Sequence, residues 1–166
     1  MFPELETERL RLRQFREADV EPLLAFYQDP LSQKIFGPDA SYGEVWRGVA
    51  KFIGHWTLRG FGQWAVEEKS SGRFAGYAGL WFPGDFADVE VGYGLHPAFR
   101  GKGYALEAAR AARDHGYRTL GLPRLVSYIA PDNQPSLRIA ERLEATPDGS
   151  FLLHGKPHTI YLHKKL

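Results

Sequence analysis

The residues best suited to chemistry lie in one short segment, residues 96–107, which reads HPAFRGKGYALE. Gly101 and Gly103 carry no Cβ, so the backbone there can approach a ligand closely. Arg100 and Lys102 add positive charge beside them. The following residues have helical spacing, and the free N–H groups at the start of a helix attract anions, above all phosphate. The segment therefore predicts a phosphate-binding loop.

Two common phosphate motifs do not fit this loop. The P-loop needs Lys-Ser or Lys-Thr after its glycines, and the chain has neither there. The dinucleotide fingerprint fits Gly101 and Gly103, but Leu106 occupies the position of its third small residue. The acid expected about 20 positions further on is also missing, since residues 121–123 read GLP. An ordinary glycine loop before an Ala-rich helix explains the residues equally well, and both interpretations stay open on the residues alone.

The strand that leads into the loop, residues 88–96, carries a second candidate site. Side-chain alternation gives it an apolar face and a polar face with two glycines. The apolar face comprises Val89, Val91, Tyr93 and Leu95. The other face comprises Asp88, Glu90, Gly92, Gly94 and His96. Two glycines beside a carboxylate leave room for a ligand, and a twisted strand with a solvated Glu90 is the alternative.

The elements that must position these sites follow from the hydrophobic period. The predicted strands are residues 10–15, 63–68, 73–82, 88–96 and 125–130, and a final pair that turns at Gly155-Lys156-Pro157. The predicted helices are residues 16–28, ended by Asp29-Pro30, residues 41–58, capped by Ser41 and Glu44, and residues 102–117 and 135–143. This order is typical of a mixed α/β domain with an antiparallel meander and later crossover helices.

Four segments together resemble one family. Arg100-x-x-Gly103-x-Ala105 resembles the acetyl-CoA motif of the GNAT N-acetyltransferases. The opening residues 5–13, residues 90–93 (EVGY) and Asn133-x-x-Ser136 are similar, in order, to segments of its RimJ/RimL-like ribosomal-protein alanine acetyltransferase branch. The resemblance implies one N-acetyltransferase domain over residues 1–166. It implies a mostly antiparallel twisted sheet of about seven strands, flanked by about four helices and splayed between strands 4 and 5.

The resemblance also implies how acetyl-CoA binds as a co-substrate. The pyrophosphate would be held by the backbone N–H groups of Arg100, Gly101, Lys102, Gly103, Tyr104 and Ala105. The pantetheine arm would pair along the exposed edge of the strand 88–96, where the backbone of Tyr93 and Leu95 meets the arm and the thioester. Asn133 would bond the pantetheine amides, although Asn133 is equally a good helix N-cap.

Catalysis would divide between three side chains. The acceptor amine must lose a proton before it attacks, and Glu90, directly or through a water, is the candidate base because a partly dry cleft raises the pKa of a carboxyl group. Ser136 is the candidate acid near the leaving sulfur. Tyr93 is a rival acid, although strand alternation puts it on the face opposite Glu90. Two plainer alternatives stay open, namely that Glu90 pairs with an arginine and that Ser136 only follows a cap.

We therefore expect an enzyme that moves acetyl directly to a primary amine, either a protein N-terminus or a small molecule, in a ternary complex. The chain has no cysteine, which excludes an acetyl-cysteine intermediate. A CoA-binding regulatory or scaffold protein without catalysis is the alternative. One departure gives it weight, since Leu143 is followed by Glu144-Ala145 where the branch has Gly-Phe. That region and the last hairpin, which looks short, lie on the acceptor side in the family, so both departures concern the acceptor more than the co-substrate. Family habit suggests a possible homodimer.

Composition excludes several other classes. Lys plus Arg total 21 and Asp plus Glu total 20, a net charge of +1, which argues against a nucleic-acid-binding face. No run approaches the roughly 20 apolar residues of a membrane span, and no secretory signal precedes the first strand, so we expect a cytoplasmic protein without membrane contacts. Without cysteines or a His-Glu-x-x-His pattern, no metal site is expected.

Overall fold

The computed structural model describes residues 2–37 and 40–165. Its strands are β1 (Leu5–Glu6), β2 (Leu10–Arg13), β3 (Gln63–Glu68), β4 (Arg73–Trp81), β5 (Val89–Leu95), β6 (Leu125–Ile129), β7 (Thr146–Leu153) and β8 (Lys156–Leu162). Its helices are α1 (Val20–Gln28), α2 (Pro30–Phe36), α3 (Tyr42–Arg59), α4 (Tyr104–Arg118) and α5 (Gln134–Arg142). Short 3-10 turns, Glu17–Asp19 and Pro97–Phe99, precede α1 and the glycine loop.

The strands form one sheet in the order β1-β2-β3-β4-β5-β6-β8-β7. All neighbours are antiparallel except β5 and β6, which are parallel. The expected mixed α/β architecture with a mostly antiparallel sheet is thus confirmed. The described residues contain eight strands rather than about seven, because Leu5 and Glu6 pair with Leu12 and Arg11 as a two-residue edge strand.

The described residues also contain five α-helices rather than about four, and the added one is α2. Asp29-Pro30 was expected only to end the first helix. Asp29 does end α1, with an extended backbone, but its side chain also accepts a hydrogen bond from the Ser32 N–H at 3.2 Å. Pro30 then occupies the first turn of α2, where its missing N–H costs nothing. The same two residues stop one helix and start the next.

The helices cover the sheet on both faces. On one face, Ala108 and Ala112 of α4 are fully buried against a cluster that includes Trp64. Their small side chains let α4 lie close to the strands. On the other face, Val49 of α3 packs with Phe74 in a second cluster to which α1 contributes. No helix in the described residues is long and apolar enough to cross a membrane.

The end of α5 shows how the chain stops a helix without the expected glycine. Glu144 takes a left-handed conformation, with a φ of 57°. Its N–H donates to the Glu141 carbonyl at 2.9 Å, and the Ala145 N–H donates to the Ala140 carbonyl at 2.9 Å. This pair of bonds is the Schellman motif, in which glycine usually holds the left-handed position. The following hairpin is not short, since β7 has 8 residues and β8 has 7.

Candidate active site

The sheet opens between its two parallel strands. β5 and β6 pair only at Val89 with Leu125 and at Glu90 with Val126. Beyond Glu90, β5 runs on to Leu95 and keeps β4 as its partner, while β6 pairs with β8. The edge of β5 that faces the resulting slot therefore has no strand to take its backbone N–H and C=O groups. The opening lies between the fourth and fifth predicted strands, as expected.

The glycine loop lies where β5 leaves this slot and α4 begins. Gly101 and Gly103 both adopt positive φ, at 77° and 81°. Successive amides in such a turn point into one concave surface that binds anions. The N-cap residue of α4 is Gly103, which has no side chain. The N–H groups of the first turn therefore lack the side-chain acceptor that Ser or Asp would supply at this position. No atom of the described residues would touch a Cβ at Gly101, so the backbone there is accessible.

A surface cavity of about 670 Å³ adjoins the loop. Its lining includes Gly101, Lys102 and Gly103, and along α4 it includes Leu106 and Arg110. A ligand held by the loop amides would thus have open space beside it. A smaller cavity, about 400 Å³, lies near the ends of β6 and β8 and does not touch the loop.

The charged side chains of the loop point away from the amides, toward other elements. The Arg100 guanidinium donates to Asp29 Oδ2 at 2.7 Å, to Ser32 Oγ at 3.0 Å and to the Leu95 carbonyl at 3.2 Å. Lys102 Nζ lies 3.3 Å from Glu68 Oε1, and the Tyr104 hydroxyl donates to the same oxygen at 2.6 Å.

These contacts give the side chains and the backbone of the loop different roles. The Arg100 side chain fastens the loop to the start of α2, and the Arg100 N–H already donates to the Pro97 carbonyl at 3.3 Å. The amides that follow Arg100 are therefore the candidates for anion binding. Tyr104 is buried, whereas Ala105, one residue later, is half-buried in the first turn of α4. The Lys102 side chain is 47% exposed, so it could leave Glu68 and turn toward an anion at small cost.

Glu90 lies at the closed end of the slot, on the last residue pair that joins β5 to β6. Protein atoms surround its carboxyl group although the side chain keeps partial access to solvent. This burial raises the pKa of Glu90 to about 7, and the Tyr128 backbone N–H opposes the rise. No ion pair to Glu90 occurs among residues 2–37 and 40–165, so the alternative in which it pairs with an arginine has no support. A carboxyl group with such a pKa can exchange protons near neutral pH.

A buried amide accompanies Glu90. Gln63 of β3 pairs with Gly79 of β4, which pairs with Gly92 of β5, so two glycines lie side by side next to Gln63. The Gln63 side chain extends across them, and its Nε2 lies only 2.9 Å from the place where a Cβ of Gly92 would be. Glu90 Oε2 lies 3.5 Å from the same point. Gln63 is 3% exposed, and its Oε1 has no hydrogen-bond partner among the described residues.

Tyr93 occupies the other face of β5, as alternation predicts, and packs against the α4 side of the sheet. Its hydroxyl lies 3.5 Å from the Ser136 carbonyl oxygen, so the side chain reaches across the slot to the first turn of α5. Burial raises the pKa of Tyr93 to about 12, which keeps the phenol protonated. Leu95 is the last residue of β5, and its backbone carbonyl accepts a hydrogen bond from the Arg100 guanidinium.

Asn133 caps α5. Its Oδ1 accepts a hydrogen bond from the Ser136 N–H at 3.3 Å, which is the geometry expected of a helix N-cap. The cap uses only the oxygen of the side chain, and the Asn133 NH₂ group is still available as a donor. Asn133 and Ser136 therefore lie on the lip of the slot opposite β5, next to Tyr93.

No group of three or more His, Asp or Glu side chains that could hold a metal ion occurs in the described part of the chain. The two histidines spaced four apart, His154 and His158, flank the β7–β8 turn. His158 Nδ1 lies 2.9 Å from the Lys156 carbonyl, within the same hairpin.

Sequence reasoning did not find three side chains of the site: Gln63, Ser127 and His163. Gln63 becomes visible only from the register of three strands. Ser127 Oγ and His163 Nε2 are 2.9 Å apart and join β6 to the residue after β8. The only sequence signal for them is a polar residue among apolar ones, which is also typical of a solvated strand face.

Comparison with known proteins agrees with this geometry. The family model described as acetyltransferase (GNAT) domain matches residues 9–146. An acetyltransferase from Agrobacterium tumefaciens is 31% identical with a TM-score of 0.89, covering 99% of this chain and 96% of that chain. The uncharacterised N-acetyltransferase p20 of Bacillus licheniformis is 28% identical over 149 residues, 87% of this chain and 83% of its own.

A more distant structure shares the fold. RimL, a ribosomal L7/L12 alpha-N-protein acetyltransferase in complex with coenzyme A, is 21% identical with a TM-score of 0.72. The similarity covers 97% of this chain and 96% of that chain. At this identity the similarity shows the fold alone.

Proposed function

The chain belongs to the GNAT acetyltransferase family, and from this membership and the geometry of the split sheet we propose that it moves the acetyl group of acetyl-CoA directly to a primary amine within a ternary complex. The family and the N-acetyltransferase relatives make it an acetyl-CoA-dependent N-acetyltransferase. The observation that carries the proposal is the slot itself. It has a loop with two left-handed glycines and exposed amides at one end and, at the other, a carboxyl group with a pKa of about 7.

The residues present fit the co-substrate. The amides of residues 101–105 suit its pyrophosphate, because two left-handed glycines expose them at a helix N-terminus. The free edge of β5 suits an extended amide-bearing arm, and the Asn133 NH₂ group, at the N-cap of α5, would donate to the amides of that arm. Bound acetyl-CoA would supply an activated thioester carbonyl. The chain then needs only to position that carbonyl, to take up one proton and to stabilise one leaving group.

We assign removal of a proton from the acceptor amine to Glu90. The acceptor arrives as an ammonium ion, which has no lone pair, and the Glu90 carboxylate takes one proton from it directly or through a water. The neutral nitrogen then forms a bond to the carbonyl carbon. As the carbon–sulfur bond breaks, the second proton of that nitrogen passes to the departing thiolate, which leaves as the free thiol, and Glu90 gives its own proton to solvent. Backbone N–H groups on the free edge of β5 near Tyr93 are placed to donate to the carbonyl oxygen as it gains negative charge.

We assign stabilisation of the leaving sulfur to the pair formed by Tyr93 and Ser136. The Tyr93 phenol stays protonated at neutral pH, so it is a hydrogen-bond donor beside the first turn of α5. Ser136 is the second donor at the same place. Because the chain has no cysteine, no thiol is present to take the acetyl group first, and direct attack is the route that remains for this residue set.

The acceptor belongs to the proposal as a class: a primary amine, either on a protein N-terminus or on a small molecule. RimL acts on a protein N-terminus according to its description, but at 21% identity this similarity does not extend to the acceptor. We also propose that residues 1–166 act as one acetyltransferase domain. The sequence departure at Glu144-Ala145 gives no support to a non-catalytic protein, because the Schellman motif forms there without glycine.

Two measurements on the purified protein test the proposal. Calorimetric titration with acetyl-CoA should show binding at concentrations below a hundred micromolar, as expected for ordinary enzyme substrates. A thiol-release assay over a panel of amines and N-terminal peptides should then give turnover with at least one acceptor. Binding without turnover on any acceptor would favour the CoA-binding regulator, and absence of binding would overturn the cofactor assignment itself.

A further inference from the structure

A buried side-chain hydrogen bond continues the contact between β5 and β6 beyond their backbone pairing. Backbone pairing ends at Glu90 with Val126. One residue further along each strand, the Ser127 hydroxyl of β6 donates to the Val91 carbonyl of β5 at 2.8 Å. Ser127 is 4% exposed, so water does not compete for this bond. The slot therefore begins beside a buried hydrogen bond from the Ser127 side chain.

The hydroxyl has a second partner, His163, whose Nε2 lies 2.9 Å from Ser127 Oγ. A hydroxyl has one proton, and Ser127 gives it to Val91. The contact with His163 therefore requires that the imidazole donate an Nε2–H to Ser127. This tautomer cannot remove a proton from Ser127, so the pair is not an activated nucleophile.

His163 is itself held from three sides. Its backbone N–H donates to the Leu125 carbonyl at 2.9 Å, and its carbonyl accepts the Tyr117 hydroxyl at 2.7 Å. The imidazole is buried, at 2% exposed for the residue, and its Nδ1 has no partner among the described residues. The Nε2–H is thus the one ring donor, and it is used to orient Ser127. A buried acceptor without a partner is unfavourable, so within the described residues the favourable hydrogen bond of the ring is the one to Ser127.

We propose that Ser127 and His163 are positioning residues that fix the point where the slot ends and thereby the length of acyl group that can be accommodated next to Glu90. The inference rests on the proposed function, since it concerns the acyl end of the same slot. Val91 and Ser127 lie one residue from Glu90 and Val126, so the closed end of the slot and the candidate base are adjacent. Loss of the bond leaves the Val91 carbonyl unpaired and lets the strands separate closer to Glu90.

The test compares Ser127→Ala with Ser127→Thr, which keeps a hydroxyl, and with His163→Gln, which keeps a side-chain N–H donor. Ser150→Ala, on β7 away from the slot, is the matched control. Initial rates with acetyl-CoA and propionyl-CoA give the ratio of the two kcat/KM values. Ser127→Ala should lower the preference for acetyl about tenfold, the size expected for one methylene. Ser127→Thr should restore the preference, and Ser150→Ala should leave it unchanged.

A second readout needs no substrate. In the free protein, hydrogen exchange of peptides covering residues 89–95 and 124–129 should be faster in Ser127→Ala than in wild type and close to wild type in Ser127→Thr. If Ser127→Ala does not fold, His163→Gln serves for both readouts and should show smaller changes of the same sign. An unchanged acyl ratio with unchanged exchange would overturn the inference. If wild type transfers no acyl group at all, the proposed function fails, while the exchange result still decides whether the bond holds the strands.

Discussion

The loop before α4 and the Glu90 end of the slot lie beyond the two ends of the free edge of β5 but are built in different ways. The loop is contiguous in the chain, and its proposed binding groups are backbone amides exposed by Gly101 and Gly103. The Glu90 end is assembled from β3, β5 and β6, with the Gln63 amide lying across two glycines on neighbouring strands. A contiguous backbone site can be recognised from a short motif, whereas an assembled side-chain site depends on strand register.

The difference also separates what each region can tolerate. Side chains in the loop are bound elsewhere, Arg100 to Asp29 and Lys102 to Glu68, so the loop depends mainly on its backbone conformation. At the other end, the chemistry depends on one carboxyl group whose pKa is set by burial. We therefore expect backbone changes to act on cofactor affinity and side-chain changes to act on turnover.

The largest effect should come from Glu90→Gln. The amide cannot take a proton, and loss of a general base lowers kcat by a factor of about 10²–10⁴. In wild type the active form is the carboxylate, so kcat should rise with pH through about 7, the pKa that burial gives Glu90. This acidic limb should be absent from the pH profile of the variant.

The control for Glu90→Gln is Glu141→Gln, the same change on the exposed surface of α5. Calorimetry should show that both variants bind acetyl-CoA like wild type, because the loop is untouched. If Glu90→Gln instead weakened cofactor binding and left kcat and its pH profile intact, the division between the two regions would be wrong.

The next effect in size concerns the loop backbone. Gly103→Val puts a β-branched residue at a φ of 81°, which is a strained conformation for any side chain of that kind. The loop must rearrange, and acetyl-CoA should bind about 100-fold more weakly, equivalent to about 2.7 kcal/mol. Gly121→Val is the matched control, since Gly121 has a φ of 63° in a turn after α4.

Both glycine variants should lose some thermal stability, and only Gly103→Val should lose cofactor affinity. The kcat at saturating acetyl-CoA should fall much less than the affinity, since Glu90 is unchanged. Equal affinity losses in the two variants would mean that the strain acts through global stability, and the loop would then have no special part in binding.

A smaller effect is expected for Lys102→Glu, which tests how much a loop side chain contributes to acetyl-CoA affinity. The change reverses one exposed charge beside the amides and places two carboxylates together at Glu68. Acetyl-CoA affinity should fall about tenfold at low salt and less at high salt, because exposed charges are screened. Lys164→Glu repeats the change at the same 3.3 Å distance from a carboxylate, Glu144, and should leave the affinity unaltered. A salt-independent loss would contradict an electrostatic origin.

The contrast explains what the sequence could predict. Most strands and helices follow from hydrophobic period, and the split position follows from the family resemblance. Helix α2 was missed because Asp29-Pro30 can end one helix and can also begin another. Only the hydrogen bond from the Ser32 N–H to the Asp29 side chain shows that a second helix starts there. β1 was missed because two residues are too short to show alternation. Gln63 and Ser127 could not be assigned, since their partners are fixed by strand pairing and not by spacing.

The smallest predicted effect uses the end of α5, where the chain makes a left-handed turn with no ligand nearby. At Gly103 the glycine is needed for access to the backbone, but at Glu144 the same φ region is used by a residue with a side chain. A non-glycine residue in this left-handed conformation costs about 1–2 kcal/mol. Glycine avoids that cost, but its greater conformational freedom in the unfolded chain opposes folding by about 0.5–1 kcal/mol. Glu144→Gly should therefore stabilise the protein by about 0.5–1 kcal/mol.

Thermal unfolding measures this gain as a rise in Tm of about 2 °C. Glu144→Gly also removes the pair with Lys164, but both side chains are mostly exposed and such pairs contribute little. Glu144→Ala removes the same pair and keeps the strain, so it should show no gain. If alanine stabilised as much as glycine, the left-handed backbone would not be the source. A gain from glycine alone, without change in acetyl-CoA affinity, would show that positive φ is a cost at the end of α5, whereas at the start of α4 we propose that it serves acetyl-CoA binding.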